Sequence, residues 1–206
     1  FKQKTAYEIP KRDWSSDVCS SDLLVLAACT LTACTPKPAV KATVRADQLA
    51  GGVRMITVQT PKGAFKVWTK RMGDNPRIKV LLLHGGPGAT HEYFEALDSY
   101  FPAAGIEYYY YDQLGSARSD QPDAPDLWEI PRFVEEVEQV RLALGLDKNN
   151  FFLLGHSWGG ILALEYALKY QRHLKGLVIS NMVASIPLYN RYAQNVLMPE
   201  IGRAHV

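Results

Sequence analysis

The segment Gly155–Gly160, with the letters GHSWGG, constrains the fold of this chain more than any other feature of its sequence. It follows a continuously apolar run, Phe151–Leu154, which is typical of a strand buried on both faces. From Gly160 to Tyr170, apolar side chains then recur at helical spacing. A G-x-S-x-G motif between a strand and a helix forms a sharp turn, which presents the serine hydroxyl above the sheet. We therefore expect Ser157 to act as a nucleophile at the carboxyl end of a strand.

Similar apolar runs alternate with helical patterns along the rest of the chain. Val53–Val58 alternates as a half-buried strand does, and Gly63–Trp68 has the pattern of its hairpin partner. Continuous apolar runs predict further buried strands at Lys79–Leu83, Ile106–Tyr111 and Leu177–Ile179. Helical spacing over Arg132–Leu144 predicts a helix that stops at Gly145. This alternation predicts an α/β fold, with a mostly parallel sheet and helices on both faces.

A glycine-rich segment, His84–Gly88, directly follows the predicted strand Lys79–Leu83. A serine hydrolase needs two backbone N–H donors directed at the oxyanion of the tetrahedral intermediate. One donor belongs to the residue after the nucleophile, here Trp158, and the other to the loop after the third strand. We expect Gly86 to supply this second donor. His84 lies at the end of the strand, so we expect it to brace the loop rather than to act as the general base.

The third strand-end segment, Asp112–Asp120, follows the tyrosine-rich strand and contains both Asp and Arg side chains. These side chains are candidates for binding substrate. We favour a structural role instead, in which they pair within the loop and shape the floor of the site. Ligands of such sheets bind beyond the carboxyl ends of the strands, which is where all three segments fall. The three segments are therefore expected to form one site.

Together, His84–Gly88, Asp112–Asp120 and Gly155–Gly160 resemble the proline iminopeptidase family, also called the prolyl aminopeptidases. The resemblance extends from Val53 to Met198. It implies an α/β-hydrolase fold with a helical cap, and hydrolysis of the peptide bond after an N-terminal proline or a similar small residue. It also implies small peptide substrates with a free N-terminus, and no cofactor. Ala117 stands where the family usually has glycine.

The resemblance also implies where the remaining catalytic groups lie. The order of the triad in this fold is Ser, then Asp or Glu, then His. After Ser157 the sequence contains only two histidines, His173 and His205. The acid, the base and the cap glutamates that bind a free α-amine are therefore expected beyond residue 200. We thus expect a chain that is C-terminally truncated before most of the cap and the last strands, and that is inactive as it stands.

Both ends of the sequence resemble translated sequencing-adapter DNA. Asp17–Asp22 and Ile201–Val206 can be encoded by the opposite strands of one short DNA duplex. We therefore expect residues 1–22 and 201–206 to be artefacts that do not belong to the fold. Of the remainder, residues 51–185 are expected to form the core of the fold, and residues 186–200 to begin the cap, with Ile186–Leu197 as its first helix.

Residues 23–34 have the pattern of a secretory signal, a short apolar run that ends in small residues. Leu31-Thr32-Ala33-Cys34 resembles a bacterial lipobox, and Cys29 is a second candidate for lipidation. The proline-containing residues 35–50 are expected to form a linker. This pattern predicts an exported protein that is periplasmic or anchored to a membrane through lipidated Cys34. The alternative is a cytoplasmic protein with an apolar tail.

Composition excludes several other classes of function. The net charge is only +2 and no basic patch with interleaved aromatic residues is present, so nucleic acid is not an expected partner. The histidines are scattered and no cysteine lies beyond residue 34, so no metal site is expected. Two alternatives remain, an esterase or lipase-like hydrolase on the same core and a non-hydrolytic ligand-binding relative. The oligomeric state is left open.

Overall fold

A computed structural model of the chain describes residue 47 and residues 50–203. The six strands in this part of the chain are β1 Val53–Thr60, β2 Gly63–Met72, β3 Lys79–Leu83, β4 Glu107–Asp112, β5 Phe151–His156 and β6 Gly176–Ser180. They form one sheet in the order β1-β2-β4-β3-β5-β6. The hairpin of β1 and β2 pairs antiparallel with β4, whereas β4, β3, β5 and β6 are mutually parallel. The sheet is therefore mostly parallel, as the sequence predicts.

The α-helices of the described residues are α1 Ile130–Ala143, α2 Trp158–Tyr170, α3 Ile186–Tyr192 and α4 Met198–Arg203. The end of α1 is fixed by Gly145, which adopts a left-handed φ of 66°. There the Gly145 N–H donates to the carbonyl of Leu142, and the Leu146 N–H donates to that of Arg141 at 3.1 Å. This pair of hydrogen bonds is a Schellman motif, so the predicted stop at Gly145 is confirmed.

The first helix of the cap is shorter in the structure than the sequence predicts. The sequence predicts one helix from Ile186 to Leu197, but α3 ends at Tyr192. A π-helical turn, Ala193–Leu197, follows and leads into α4. Ser185 caps α3, since its hydroxyl accepts a hydrogen bond from the Leu188 N–H at 3.4 Å.

The two faces of the sheet are covered by different elements. On one face, Leu81 and Leu83 of β3 belong to a buried cluster with side chains of α1 and α2. On the other face, Val80 and Leu82 pack in a second cluster with Phe94, which lies on the 3-10 helix His91–Ser99. Successive side chains of a strand point to opposite faces, so a strand covered on both sides must be apolar throughout.

Glycines let α2 lie against the carboxyl ends of β3 and β5. A Cβ on Gly159 would lie 2.0 Å from the carbonyl oxygen of Leu83, and one on Gly155 would lie 2.1 Å from that of Gly159. Both positions therefore exclude any side chain. Because β4, β3 and β5 are parallel neighbours, their carboxyl ends lie at the same edge of the sheet. The loops that follow these strands therefore meet at that edge.

Several sequence predictions lie outside the described residues. These are the proposed artefact at residues 1–22, the signal-like residues 23–34 with Cys29 and Cys34, nearly all of the linker 35–50, and residues 204–206. None of the helices formed by the described residues has the length and apolar character that a membrane span requires.

Candidate active site

Ser157 lies at the turn between β5 and α2, where its backbone adopts φ 55° and ψ −120°. Positive φ is rare for a residue with a side chain and marks strain that the surrounding structure must maintain. Two hydrogen bonds hold this turn, from the Ser157 N–H to the Ser180 carbonyl at 3.0 Å and from the Gly160 N–H to the Ser157 carbonyl at 2.9 Å. The Ser157 side chain makes no capping hydrogen bond to α2. This is the strained turn from which a nucleophile elbow presents its hydroxyl.

The loop after β3 approaches this hydroxyl closely. A Cβ on Gly85 would lie 3.0 Å from the Cβ of Ser157 and 3.4 Å from its Oγ. The absence of a side chain at Gly85 therefore lets the backbone of this loop lie beside the nucleophile. Backbone N–H groups of a loop in this position are suited to bind an oxyanion that forms on a substrate attached to Ser157.

Two N–H groups beside Ser157 are open to a ligand. The Gly85 N–H is already occupied, because it donates to the Tyr93 hydroxyl at 2.6 Å. The next N–H, that of Gly86, has no hydrogen-bond partner among the described residues. Trp158 is the first residue of α2, and the first N–H groups of a helix have no partner within it. The helix dipole adds positive potential at the same place.

Gly86, Ser157 and Trp158 line one pocket of about 330 Å³. The structure thus brings together the three site residues that the sequence singles out. The other side of this pocket is formed by Val183 and by α3, including Ile186. A second pocket of about 230 Å³ shares Trp158 with the first and contains the aromatic rings of Trp128 and Phe133.

Gln113, which the sequence analysis does not single out, connects the three strand-end loops. It follows β4 directly and is 1 % exposed. Its side-chain Nε2 donates to the His84 carbonyl at 2.9 Å, and its Oε1 accepts from the Trp158 indole N–H at 3.2 Å. Its position after a strand is visible in the sequence, but its partners are 29 and 45 residues away along the chain. No local pattern could therefore have identified this role.

His84 braces the loop, as expected, and does not act as a base in the described arrangement. Its ring is fully buried. The Gln113 N–H donates to Nε2 at 3.0 Å, so the proton must lie on Nδ1, which is 3.0 Å from the Gly85 carbonyl oxygen. Burial lowers the pKa of His84, although the Gly85 carbonyl and the Asp112 carboxylate oppose this shift. The imidazole is therefore held neutral in one tautomer.

The predicted pairing of Asp and Arg side chains within the third loop is wrong. The Asp112 carboxylate lies 2.7 Å from Nδ1 of His91, a buried residue that the sequence analysis missed. Its contact with Arg118 involves only the backbone N–H, at 3.3 Å. The guanidinium of Arg118 instead lies over the ring of Trp68, 4.7 Å from its centre. Cation–π attraction to an aromatic face replaces the expected ion pair.

None of the histidines in residues 50–203 hydrogen-bonds the Ser157 hydroxyl. The ring of His84 contacts the Gly85 carbonyl, that of His91 contacts the Asp112 carboxylate, and His173 lies 3.4 Å from Glu138. His156 packs against the rings of Tyr93 and Phe94, and its buried Nδ1 has no hydrogen-bond partner. Over the same residues, no group of His, Cys, Asp and Glu side chains is arranged to hold a metal ion.

Comparisons with known proteins agree with this geometry. Residues 79–201 match the family described as the alpha/beta hydrolase fold. A proline iminopeptidase of Flavobacterium johnsoniae is 61% identical over 147 residues, which are 71% of this chain and 50% of that protein. One of Elizabethkingia meningoseptica is 64% identical over 140 residues, 68% of this chain and 47% of that protein. The chain thus spans about half the length of these curated relatives.

A solved structure also shows likeness to the proline iminopeptidases. The crystal structure of a proline iminopeptidase of Mycobacterium smegmatis has a TM-score of 0.60 and 32% sequence identity to this chain. The match covers 69% of this chain and 48% of that one. The described fold therefore has a counterpart in a solved structure. The chain belongs to the α/β-hydrolase fold family, in which it is similar to the proline iminopeptidases.

Proposed function

We propose that the protein is a serine aminopeptidase that hydrolyses the peptide bond after an N-terminal proline or a similar small residue. One observation carries the proposal, the shared pocket of Gly86, Ser157 and Trp158 at the strained turn between β5 and α2. The proline iminopeptidases that are 58–64% identical to this chain support the choice of substrate.

The proposed reaction is an acyl transfer in two steps. The Ser157 oxygen forms a bond to the carbonyl carbon of the N-terminal residue while a histidine outside the described residues takes its proton. Gly86 and Trp158 donate their N–H groups to the oxyanion, which is worth about 3 kcal/mol for each donor. The C–N bond then breaks, and the leaving amine takes the proton from the histidine. Water then attacks the acyl carbon while the histidine takes a proton from it, the C–O bond to Ser157 breaks, and the histidine returns the proton to the Ser157 oxygen. No cofactor takes part.

The composition of the pocket fits an apolar residue beside the nucleophile. Val183, Ile186 and Trp158 offer apolar surface to a small ring such as that of proline. The described residues that line this pocket include no carboxylate. The glutamates that bind the substrate's charged α-amine are therefore proposed to come from the rest of the cap, together with the acid and the base of the triad. Residues 51–185 are proposed as the core and residues 186–200 as the start of that cap.

The test compares two substrates in the full-length gene product. It should release proline from an unblocked prolyl amide and not from the N-acetylated amide, because an aminopeptidase requires a charged α-amine. Ser157→Ala should lower kcat on the order of 10⁶-fold, since the triad acts as a unit. The 206-residue chain alone should be inactive, because none of its described histidines reaches Ser157.

The control is the folded state of Ser157→Ala, measured by circular dichroism, which should match that of the wild type. Equal turnover of the free and acetylated substrates would reject the aminopeptidase and favour the esterase-like alternative. Turnover that survives in Ser157→Ala would reject the nucleophile. Binding of peptide without turnover by the full-length protein would favour the non-hydrolytic alternative.

A further inference from the structure

We propose that Gln113 is a positioning residue that sets the direction of both oxyanion donors, Gly86 and Trp158. The inference rests on the proposed function, because it takes Gly86 and Trp158 to be the oxyanion donors. Gln113 itself does not line the pocket of Ser157. Three observations carry it: the burial of Gln113, the two hydrogen bonds of its side chain, and the hydrogen bond of its own N–H to His84.

The first route runs through the indole of Trp158. The Nε1–H of the indole donates to Oε1 of Gln113 at 3.2 Å. The Trp158 ring also packs edge-to-face against Phe133, with 5.8 Å between the ring centres. A ring held at two places has little freedom about its two side-chain torsions, and this fixes the position of its Cα. The direction of the Trp158 N–H at the start of α2 is fixed with it.

The second route runs through His84 to the peptide bond between Gly85 and Gly86. The backbone N–H of Gln113, which Gln113→Met retains, occupies Nε2 of His84, and this places the proton on Nδ1 and directs it at the Gly85 carbonyl oxygen. A second donor, the Ala89 N–H, lies 3.3 Å from the same oxygen. Since a trans peptide is planar, fixing its C=O also fixes the opposite N–H, which is that of Gly86. The side-chain amide of Gln113 holds the preceding peptide through the His84 carbonyl.

An amide side chain meets both requirements at this position. It must donate to a carbonyl on one side and accept from an indole on the other, in a place that water does not reach. A carboxylate of the same shape can only accept, so it would face the His84 carbonyl oxygen without a proton between them. A methionine fills the volume and makes neither hydrogen bond.

The experiment uses the full-length gene product and a prolyl amide substrate. We expect Gln113→Met to lower kcat about 10- to 100-fold with little change in KM, because displaced donors weaken the transition state more than the ground state. Trp158→Phe, which removes the indole N–H, should give a loss of similar size. In the double variant the two losses should not multiply, because both remove the same hydrogen bond. The matched control is Gln121→Met, an exposed residue of the same loop, whose kcat should equal that of the wild type.

Titration with a serine-reactive fluorophosphonate counts the folded sites, so kcat is expressed per reactive Ser157. If Gln113→Met lowers only the melting temperature or the number of reactive sites, with unchanged kcat per site, the side chain is merely structural and the inference is wrong. Losses that multiply in the double variant would also overturn it. A wild type that fails to hydrolyse the prolyl amide would instead reject the proposed function, and the inference with it.

Discussion

At the scale of single residues, the backbone conformation that presents the Ser157 hydroxyl also lowers the stability of the fold. A φ of 55° with a ψ of −120° favours glycine, and any residue with a Cβ is strained there. The chain nevertheless has serine, whose hydroxyl is placed beside two free N–H groups. The strain is thus retained at the one position where the side chain carries the proposed chemistry.

We predict that Ser157→Gly is more stable than Ser157→Ala by about 1 kcal/mol, because glycine relieves the backbone strain and alanine does not. Both variants lack the nucleophile, so the comparison isolates the effect of the strained backbone on the free energy of unfolding. The free energy of unfolding of each, from urea titration followed by circular dichroism, checks this. If Ser157→Ala is the more stable of the two, the turn is not strained.

The residues that meet at the candidate site were predicted unevenly from the sequence. Ser157, Gly86 and Trp158 could be named because glycine spacing and flanking apolar runs are local patterns. Gln113 and His91 could not, since each acts through partners at least 21 residues away in the chain. The pairing of Asp and Arg in the third loop failed for the same reason, because His91 and Trp68 compete for those side chains from other elements.

At the scale of elements, the close contact between α2 and β3 determines how the turn is held. A side chain at Gly159 would meet the backbone carbonyl of Leu83, which cannot move without disturbing the sheet. By contrast, a Cβ on Gly145 would meet nothing within 4 Å, and only its φ of 66° requires glycine. The two glycines are thus needed for different reasons, collision in one case and conformation in the other.

We predict that Gly159→Ala lowers the free energy of unfolding by about 3 kcal/mol, because the added methyl group overpacks a backbone contact. Gly145→Ala should cost only about 1 kcal/mol, the penalty for a left-handed conformation. Urea unfolding of both variants measures the difference. Equal losses would show that α2 can shift away from β3, contrary to the tight packing described above.

The strands were predicted more accurately than the short helices. Continuous apolar runs mark β3 and β5 because both faces of these strands are covered, and β3 was predicted with its observed bounds. The 3-10 helix His91–Ser99 was missed, since it buries only His91 and Phe94 and so shows no clear period. The break at the end of α3 was missed as well, because the residues after it continue in a helical conformation.

At the scale of the whole molecule, we propose an exported protein that is anchored through Cys34, a residue outside the described part of the chain. The motivation is the apolar run that ends in Leu-Thr-Ala-Cys, after which the sequence becomes polar. A single acyl chain binds membranes only marginally, so firm anchoring requires more than one.

We predict that the full-length product, expressed in a bacterium, is cleaved before Cys34 and carries added acyl mass. Intact-mass spectrometry of the wild type, Cys34→Ser and Cys29→Ser checks this, and only Cys34→Ser should lose the modification. An uncleaved wild type without acyl mass would exclude the anchor, and a modification lost only in Cys29→Ser would move it to that residue.

Ionisation of tyrosines in β4 can be followed by the absorbance of their phenolate rings. Tyr108 and Tyr110 both donate to Asp98, and Tyr111 donates to Glu136. Burial raises the pKa of all three phenols. Between the ordinary value of about 10 and these raised values, the unfolded chain releases protons that the folded chain retains, so alkali lowers stability. Tyrosinate absorbance from these rings in alkali would therefore record the opening of the central sheet, without any added dye.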